Sequence, residues 1–313
     1  MNGVQKYLVE EELEHYQYGW ISRREFLHRA SLLGIASSVA AALAGTVTPV
    51  RAAPAAAQAQ TSPFHVADDD PSVSSAWHSY DSDGTTLQAY VARPATATDG
   101  AGLPAVAICH ENRGLTEHIQ DVARRFALQG YVAIATDLPS RLGRPTSELT
   151  SDEITAAFRQ LPNDQNARDF AAALDSIRQD PAVDPSKLAA TGYCFGGGVI
   201  WELATIYPEL AAAAPFYGSA PAAAAVPNIG AAVFGVYGEL DTRINASIPD
   251  LQAALDASGK TYSMKIYANS PHAFHNDTGQ SYNRAAAVEA YVDTLNWFGE
   301  HLGLAPGPGM MGA

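Results

Sequence analysis

The chain has little cysteine and few basic residues. Only two of its 313 residues are cysteines, Cys109 and Cys194, which excludes a fold stapled by several disulfides, and we expect both to be free thiols. The 33 Asp and Glu residues outnumber the 19 Lys and Arg residues, which gives a formal net charge of −14. Because nucleic acids and anionic membranes repel so acidic a protein, we expect neither as a partner.

Metal-binding patterns and internal repeats are also absent from the sequence. The histidines, among them His110, His118 and His275, match no zinc-ligand spacing, so we expect no metal and no cofactor. The apolar stretch at residues 32–47 is rich in alanine and interrupted by serine and glycine, which makes it a poor membrane anchor. We therefore expect no stable membrane insertion of the mature chain.

The amino terminus has the pattern of an export signal. The sequence Ser22-Arg23-Arg24-Glu25-Phe26-Leu27 resembles the twin-arginine motif and precedes this mildly apolar stretch and several small residues. We predict that residues 1–60 are a signal peptide and spacer, cleaved between Arg51 and Gln60, and that the precursor uses the bacterial twin-arginine export machinery. The mature protein would then be periplasmic or secreted. The acidic lead at residues 10–12 is atypical, and it leaves open whether the segment is removed or retained as a tether.

The remaining chain, residues 61–313, predicts a single domain with its core at about residues 77–302. The runs at 105–109, 131–136 and 231–237 are continuously apolar, as in strands buried on both faces of a parallel sheet, and they alternate with helical patterns. We therefore expect an α/β fold in which a mostly parallel central sheet carries helices on both faces.

One cysteine lies in a pattern typical of a nucleophile. The sequence Gly192-Tyr193-Cys194-Phe195-Gly196 follows an apolar run and precedes a helical pattern. Such a strand-to-helix turn is the setting of a nucleophile elbow, where a Cβ at either glycine would crowd the helix against the strand. The positive end of the following helix favours the reactive thiolate. The alternative is a buried cysteine that packs as a small hydrophobic residue.

Two later residues complete a possible catalytic triad. In an α/β-hydrolase the nucleophile, the acid and the histidine occur in that order, the last two on loops after late strands. Asp241 follows the apolar run at 231–237, and His272 follows the strand pattern at 262–267. Because the carboxyl ends of parallel strands share one edge of a sheet, we predict that Cys194, Asp241 and His272 form a triad in an α/β-hydrolase fold.

The loop at residues 110–114 is a candidate for the oxyanion hole. In this fold the loop after the corresponding strand supplies one backbone N–H, and the residue after the nucleophile supplies the other. We assign these donors to Asn112 and Phe195. Glu111 would then lie close to the thiol, and its alternative interpretation is a solvated loop residue.

Taken together, the sequence at 192–197 and the residues Glu111, Asp241 and His272 resemble the dienelactone hydrolases, the carboxymethylenebutenolidase family of cysteine-dependent α/β-hydrolases. The resemblance spans about residues 77–302. It implies hydrolysis of an ester or lactone through a thioester on the cysteine, with His272 as the base. It also implies that Glu111 contacts the resting thiol and keeps it neutral until substrate displaces it.

The substrate is less well specified than the chemistry. The best-known dienelactone hydrolases hold a substrate carboxylate with arginines, one of them shortly after the catalytic histidine, whereas the matching residue here is Asn276. A bidentate clamp is therefore missing at that position. Other loops offer possible replacements, namely Arg113, Arg141, Arg144 and Arg159. We expect substrate contacts from Arg113, Tyr193, Phe274 and Asn276.

Two other functions stay open. A general carboxylesterase or polyester-type hydrolase acting on neutral esters is favoured by the missing clamp and by the predicted export. A catalytically silent binding protein of the same fold is disfavoured by the complete triad. Residues 141–162 stand where this fold often carries cap elements, and they either line the substrate entrance or form an ordinary crossover connection.

Overall fold

The computed structural model describes residues 3–48, 61–161 and 164–304. In these residues eight strands form one sheet, in the spatial order β1-β2-β4-β3-β5-β6-β7-β8. The strands are β1 (Val73–Ser82), β2 (Thr85–Pro94), β3 (Leu103–Cys109), β4 (Val132–Asp137), β5 (Val183–Tyr193), β6 (Ala212–Phe216), β7 (Ala232–Gly238) and β8 (Tyr262–Tyr267). β1 pairs antiparallel with β2 and β2 with β4, and all further pairs are parallel.

Burial along the strands explains their composition. Every residue of β4, β6 and β7 is buried, as expected for central strands covered on both faces. The edge strands differ, since β1 exposes Trp77 and β8 exposes Ile266. The apolar runs therefore mark the centre of the sheet, and the mixed runs mark its two edges.

Helices cover both faces of the sheet. The helices of the hydrolase-like domain are α4 (Glu117–Leu128), α5 (Ser151–Gln160), α6 (Gln165–Ile177), α7 (Phe195–Ile206), α8 (Thr242–Asn245), α9 (Ile248–Ala257) and α10 (Arg284–His301). α4 contacts α10 through the rings of Phe126, Tyr291 and Phe298, whereas α6 packs against α7. Both α4 and α6 pack on β3, each belonging to a different helix layer. The predicted α/β-hydrolase fold is confirmed.

Three further helices precede the sheet: α1 (Gly3–Gln17), α2 (Arg23–Leu32) and α3 (Ser37–Thr46). Phe26 and Ala30 of α2 pack on Ala40 and Ala44 of α3 to form a small separate core. α1 instead joins the main hydrophobic core through its own apolar side chains, including Leu8. The segment predicted as a leader is thus folded onto the domain, while its predicted cleavage region, 51–60, lies outside the described residues.

None of the helices in the described ranges is long and apolar enough to cross a membrane. The stretch 32–47, predicted to be a poor anchor, is divided by a turn between the short helices α2 and α3.

The segment after β4 forms two short 3-10 helices and then α5. Thr150 caps α5 by accepting a hydrogen bond from the N–H of Glu153, whose carboxylate in turn accepts from the N–H of Thr150. α5 packs against α1 and α2, and Asp152 pairs with His28 at 3.0 Å. This segment therefore supports the amino-terminal helices beside the carboxyl edge of the sheet.

Candidate active site

Cys194 lies at a strained turn between β5 and α7. Its backbone has φ 59° and ψ −121°, a conformation that costs a non-glycine residue about 1–3 kcal/mol. The Cys194 N–H donates to the carbonyl of Phe216 at 3.1 Å. A Cβ added to Gly192 would lie 2.4 Å from the Gly196 carbonyl oxygen, and one on Gly196 would lie 2.5 Å from that of His110. The turn therefore has the geometry of a nucleophile elbow, and both glycines are required by backbone contact.

Asp241 and His272 meet at the same edge of the sheet. Asp241 follows β7 and caps α8, its Oδ1 accepting from the N–H of Ile244 at 3.2 Å. Its Oδ2 lies 2.5 Å from Nδ1 of His272, which is on the loop after β8. A ring nitrogen of His272 lies within 4.8 Å of the Cys194 Sγ. The side chains of Cys194, Asp241 and His272 therefore lie close together, as the sequence predicts.

The charges in this group act strongly because all three side chains are buried. Burial alone would lower the pKa of His272, but the Asp241 carboxylate outweighs burial and holds that pKa well above its ordinary value. Burial would likewise raise the pKa of Asp241, yet His272 and Arg243 lower it, so this group remains a carboxylate. The pair therefore orients the ring and stabilises the imidazolium that forms when His272 takes up a proton.

The two predicted oxyanion-hole residues lie at the start of α7 and on the loop after β3. Phe195 is the first residue of α7, where a backbone N–H has no partner within its own helix. Asn112 is buried on the loop that follows β3, and β3 pairs with β5 so that Cys109 stands opposite Gly192. The register of these strands places the Asn112 loop next to the elbow, while the roles of both N–H groups stay predictions.

Glu111 is buried, but its hydrogen bond goes to Asn276 rather than to the thiol. The Asn276 Nδ2 donates to Oε2 of Glu111 at 2.5 Å, and Oε1 has no hydrogen-bond partner in the described part of the chain. Burial raises the pKa of Glu111 above its usual value. Two of the predicted site residues, the buried Glu111 and the partly buried Asn276, therefore form one hydrogen-bonded pair.

The thiol contact that the family resemblance assigns to Glu111 is made here by Glu11 of α1. The Cys194 Sγ donates to Oε1 of Glu11 at 3.1 Å, and the Tyr7 hydroxyl donates to Sγ at 3.4 Å. Burial, followed by the charge of Glu11, raises the pKa of Cys194 to about 11. Interpreting residues 1–60 only as a leader excluded α1 from the site, so sequence reasoning missed both contacts.

Two more acids of α1 reach the same edge of the sheet. Arg113 donates to Oε1 of Glu12 at 3.1 Å, and Arg243 donates to Oε2 of Glu14 at 3.1 Å. Both carboxylates are buried. Burial would raise the pKa of Glu12, but His15, Arg113 and Arg29 lower it to about 2, so Glu12 carries a charge at neutral pH.

The arginines considered as a carboxylate clamp all lie beside other groups. Arg113 pairs with Glu12, Arg141 pairs with the buried Asp169 through Nε at 2.7 Å, and Arg144 pairs with Glu153 at 2.9 Å. A Cβ on Gly34, in the turn after α2, would lie 2.9 Å from the Arg159 guanidinium carbon. Three of the four arginines are therefore already paired with carboxylates of this protein, and Arg159 lies close to Gly34.

Two other predicted substrate-binding residues lie in the core. Tyr193 stacks on His275 with ring centroids 4.8 Å apart, and Phe274 contacts the rings of Tyr217 and Tyr267 at 5.6 and 5.4 Å. Because both rings contact other core residues, their role in substrate binding stays a prediction.

A cavity of about 230 Å³ opens beside the elbow. Phe195 and Val199 of α7, Asn166 of α6 and Tyr7 of α1 are among its lining residues, as is Glu202. Asn166 is buried, and neither polar atom of its side chain has a hydrogen-bond partner among the described residues. A buried amide without partners is costly, so it is a candidate for binding a polar group of a ligand. No motif in the sequence singles it out.

The site also contains ligand types that bind metals. Ligand atoms of Glu11, Cys194 and His272 lie within 4.8 Å of one another, as do those of Glu14, Asp241 and His272. Sequence spacing could not indicate these groups because their members come from opposite ends of the chain. Hydrogen bonds already join Glu11 to Cys194 and Asp241 to His272, and Glu14 is held by Arg243.

The fold is that of an α/β-hydrolase, and a cysteine lies at its turn between β5 and α7. The model of the Dienelactone hydrolase family matches residues 87–302, and the chain belongs to that family. A protein of Salmonella typhimurium named "Putative carboxymethylenebutenolidase" is 32% identical over 270 residues, which are 82% of this chain and 98% of the relative. A protein with the same name from Saccharolobus solfataricus is 31% identical over 248 residues, covering 68% and 93% of the two chains.

A solved structure agrees with the sequence matches. The crystal structure titled as a putative dienelactone hydrolase from Klebsiella pneumoniae has a TM-score of 0.66 and 30% identity. The match covers 73% of this chain and 99% of that one. Nearly the whole of the solved relative is therefore contained in this chain, which has additional residues of its own.

Proposed function

We propose that this protein hydrolyses a carboxylic ester or lactone through a Cys194–His272–Asp241 triad and a thioester intermediate. The observation that carries the proposal is the convergence of three buried side chains. The Asp241 Oδ2 binds the His272 Nδ1 at 2.5 Å, and a nitrogen of the same ring lies within 4.8 Å of the Cys194 Sγ at a positive-φ turn. Membership of the dienelactone hydrolase family supports the same chemistry.

In the proposed mechanism His272 accepts the thiol proton, and the Cys194 sulfur attacks the carbonyl carbon. The resulting oxyanion is held by the N–H groups of Phe195 and Asn112. When the tetrahedral intermediate collapses, the C–O bond breaks and the leaving alkoxide takes the proton from His272. A water molecule, deprotonated by His272, then hydrolyses the thioester and regenerates the thiol. Asp241 holds the ring in the required tautomer throughout.

We propose that the substrate occupies the cavity beside Phe195 and contacts Asn166. The cavity shares Phe195 with the oxyanion hole, and its lining has more apolar than polar character, which suits the acyl or alkyl part of an ester. The orphaned amide of Asn166 would bind a carbonyl or hydroxyl group of that part.

A second candidate, a carboxylesterase for neutral esters, is favoured by the pairing of the arginines. Arg141 is held by the buried Asp169, and Asn276 replaces the arginine that the best-known family members carry. An anionic substrate would therefore find fewer free cationic groups at this site than in those relatives.

The test compares Cys194→Ala and Cys194→Ser with the chain without these substitutions on p-nitrophenyl esters, each measured as the full chain and again after cleavage between residues 48 and 61. The alanine variant should lose essentially all turnover, and the serine variant most of it, because a hydroxyl is a weaker nucleophile than a thiol beside the same imidazole. Retained turnover in Cys194→Ala would contradict the nucleophile assignment. Comparing kcat/KM for an anionic lactone and a neutral short-chain ester separates a dienelactonase from a general carboxylesterase.

We also propose that the chain is exported by the twin-arginine route to the periplasm or beyond. Support comes from the motif at residues 22–27, in which the side chains of Arg23 and Arg24 are exposed at the start of α2. The double substitution to lysine keeps the charge but removes the guanidinium groups, and it should leave the protein in the cytoplasm on cell fractionation. Unchanged export of that variant would contradict the proposal.

A further inference from the structure

Helix α1 closes the active site in this structure. The side chains of Cys194 and His272 are almost completely buried, with relative exposures of 1% each. Tyr7 and Glu11, one helical turn apart, both contact the Cys194 Sγ. Tyr7 also forms part of the wall of the cavity beside Phe195, so one side chain of α1 contacts both the cavity and the sulfur. An ester carbonyl cannot reach the thiol while α1 occupies this position.

Specific contacts hold α1 in place. Leu8 and Val9 are buried in the main core, with exposures of 2% and 3%. Arg243, two residues after Asp241, pairs with Glu14 and lies over the Tyr7 ring at 4.9 Å from its centroid. These buried apolar contacts and the ion pair hold α1 in one defined position on the domain, which a loosely attached surface segment would not have.

The contacts made by α1 also suppress the chemistry of the site. A thiol that donates its proton to Glu11 is not donating it to His272, and a carboxylate near the sulfur opposes formation of the thiolate. An element of a working site would instead leave the sulfur open to the carbonyl and the imidazole. The position of Glu11 is therefore that of an inhibitor rather than of a catalytic group.

α1 also lies outside the part of the chain that defines the family. The family model begins at residue 87, whereas α1 ends at Gln17. The Klebsiella pneumoniae relative is matched over 99% of its length by only 73% of this chain. Residues beyond the shared domain thus supply the group that covers the nucleophile.

We propose that the amino-terminal segment at residues 3–46 is an intramolecular inhibitor that keeps the enzyme latent until the segment is displaced or removed. The inference rests on the proposed function in taking Cys194 as the nucleophile of a hydrolase. The same segment carries the twin-arginine motif, so its loss after export would couple arrival outside the cytoplasm to activation.

The test measures how fast iodoacetamide alkylates Cys194 in the full chain and after displacement of α1. A recognition sequence for a site-specific protease, inserted between residues 48 and 61, allows the segment to be cut from the folded chain and then removed by gel filtration. The double variant Val4→Asp/Leu8→Asp displaces α1 without cutting. Peptide mapping separates alkylation of Cys194 from that of the buried Cys109.

Both treatments should raise the alkylation rate at least about tenfold, because undocking of α1 exposes a thiol that is otherwise reached only by local opening. Hydrolysis of p-nitrophenyl acetate should rise with it, and adding a peptide of residues 1–48 should reverse both effects. The control Lys6→Ala alters an exposed side chain of the same helix and should leave both rates unchanged.

Equal alkylation of Cys194 before and after displacement would overturn the proposal. A rise in alkylation together with a fall in ester turnover would also overturn it, because α1 would then be part of the working site. If alkylation rises while no form hydrolyses any ester, α1 does cover the thiol and the proposed hydrolase function is what fails. Circular dichroism of the double variant, together with the cut chain, separates undocking from misfolding.

Discussion

Replacing Asp241 by Asn tests the orientation of His272. The Asp241 Oδ1 accepts from the Ile244 N–H, and Oδ2 faces the His272 Nδ1. In the variant the amide oxygen keeps the Ile244 bond, because turning the amide around would set two donors against each other. The amide nitrogen must then donate to Nδ1, which leaves the ring hydrogen on Nε2. That nitrogen could no longer accept the thiol proton.

The size of the effect follows from the burial of the pair. A hydrogen bond to a charged group contributes about 1.5–3 kcal/mol, which alone is about 10- to 150-fold in rate. The wrong tautomer adds to this loss, and the same substitution in a serine-protease triad lowers kcat by about 10⁴-fold. We therefore expect Asp241→Asn to reduce kcat/KM by between about 10²- and 10⁴-fold.

The assay is hydrolysis of p-nitrophenyl acetate, followed from pH 5 to pH 9 with the chain cut between residues 48 and 61. Asp250→Asn, an identical substitution at an exposed position of α9, is the matched control and should keep full activity. A folded Asp241→Asn enzyme with kcat/KM within about threefold of the control would refute the assigned role. A threefold difference corresponds to a loss of under about 1 kcal/mol of transition-state stabilisation.

Three other predictions concern the supporting structure. Gly196→Ala should lower the free energy of unfolding by about 3 kcal/mol or more in denaturant titrations, because the new Cβ would meet the His110 carbonyl, whereas Gly45→Ala, with open space around it, should not. Burial raises the pKa of Asp137 from 3.8 to about 6, so this group stabilises the fold when protonated and ceases to do so as the pH rises through 6. The unfolding free energy should gain about 2–3 kcal/mol from it between pH 7 and pH 4, a gain that Asp137→Asn should abolish and that an unchanged pH profile would disprove. In the chain cut between residues 48 and 61, Asn166→Leu should raise KM about 5- to 10-fold without lowering stability, since it removes an orphaned amide, and an unchanged KM would exclude Asn166 from the substrate site.

The sequence alone was sufficient to predict the fold and to place the side chains of Cys194, Asp241 and His272 at one edge of the sheet. Gly192 and Gly196 flank Cys194 because backbone atoms leave no room for a Cβ, and such a local constraint is visible in the sequence itself. Asp241 and His272 could be placed because parallel strands bring their following loops to one edge. Both inferences use short-range patterns and one rule of topology.

Contacts between distant parts of the chain were decided only by the tertiary structure. Glu11 and Cys194 are 183 residues apart, and no periodicity or motif connects them. The pairing of Arg113 with Glu12 and the orphaned amide of Asn166 depend likewise on how α1 and α6 pack beside the elbow. A sequence pattern reports the secondary structure and face of a residue, whereas the partner of a buried charge is chosen by the packing of whole elements. The turn at Cys194 and its neighbours Asp241 and His272 could therefore be predicted from the sequence, whereas the helix that covers them could not.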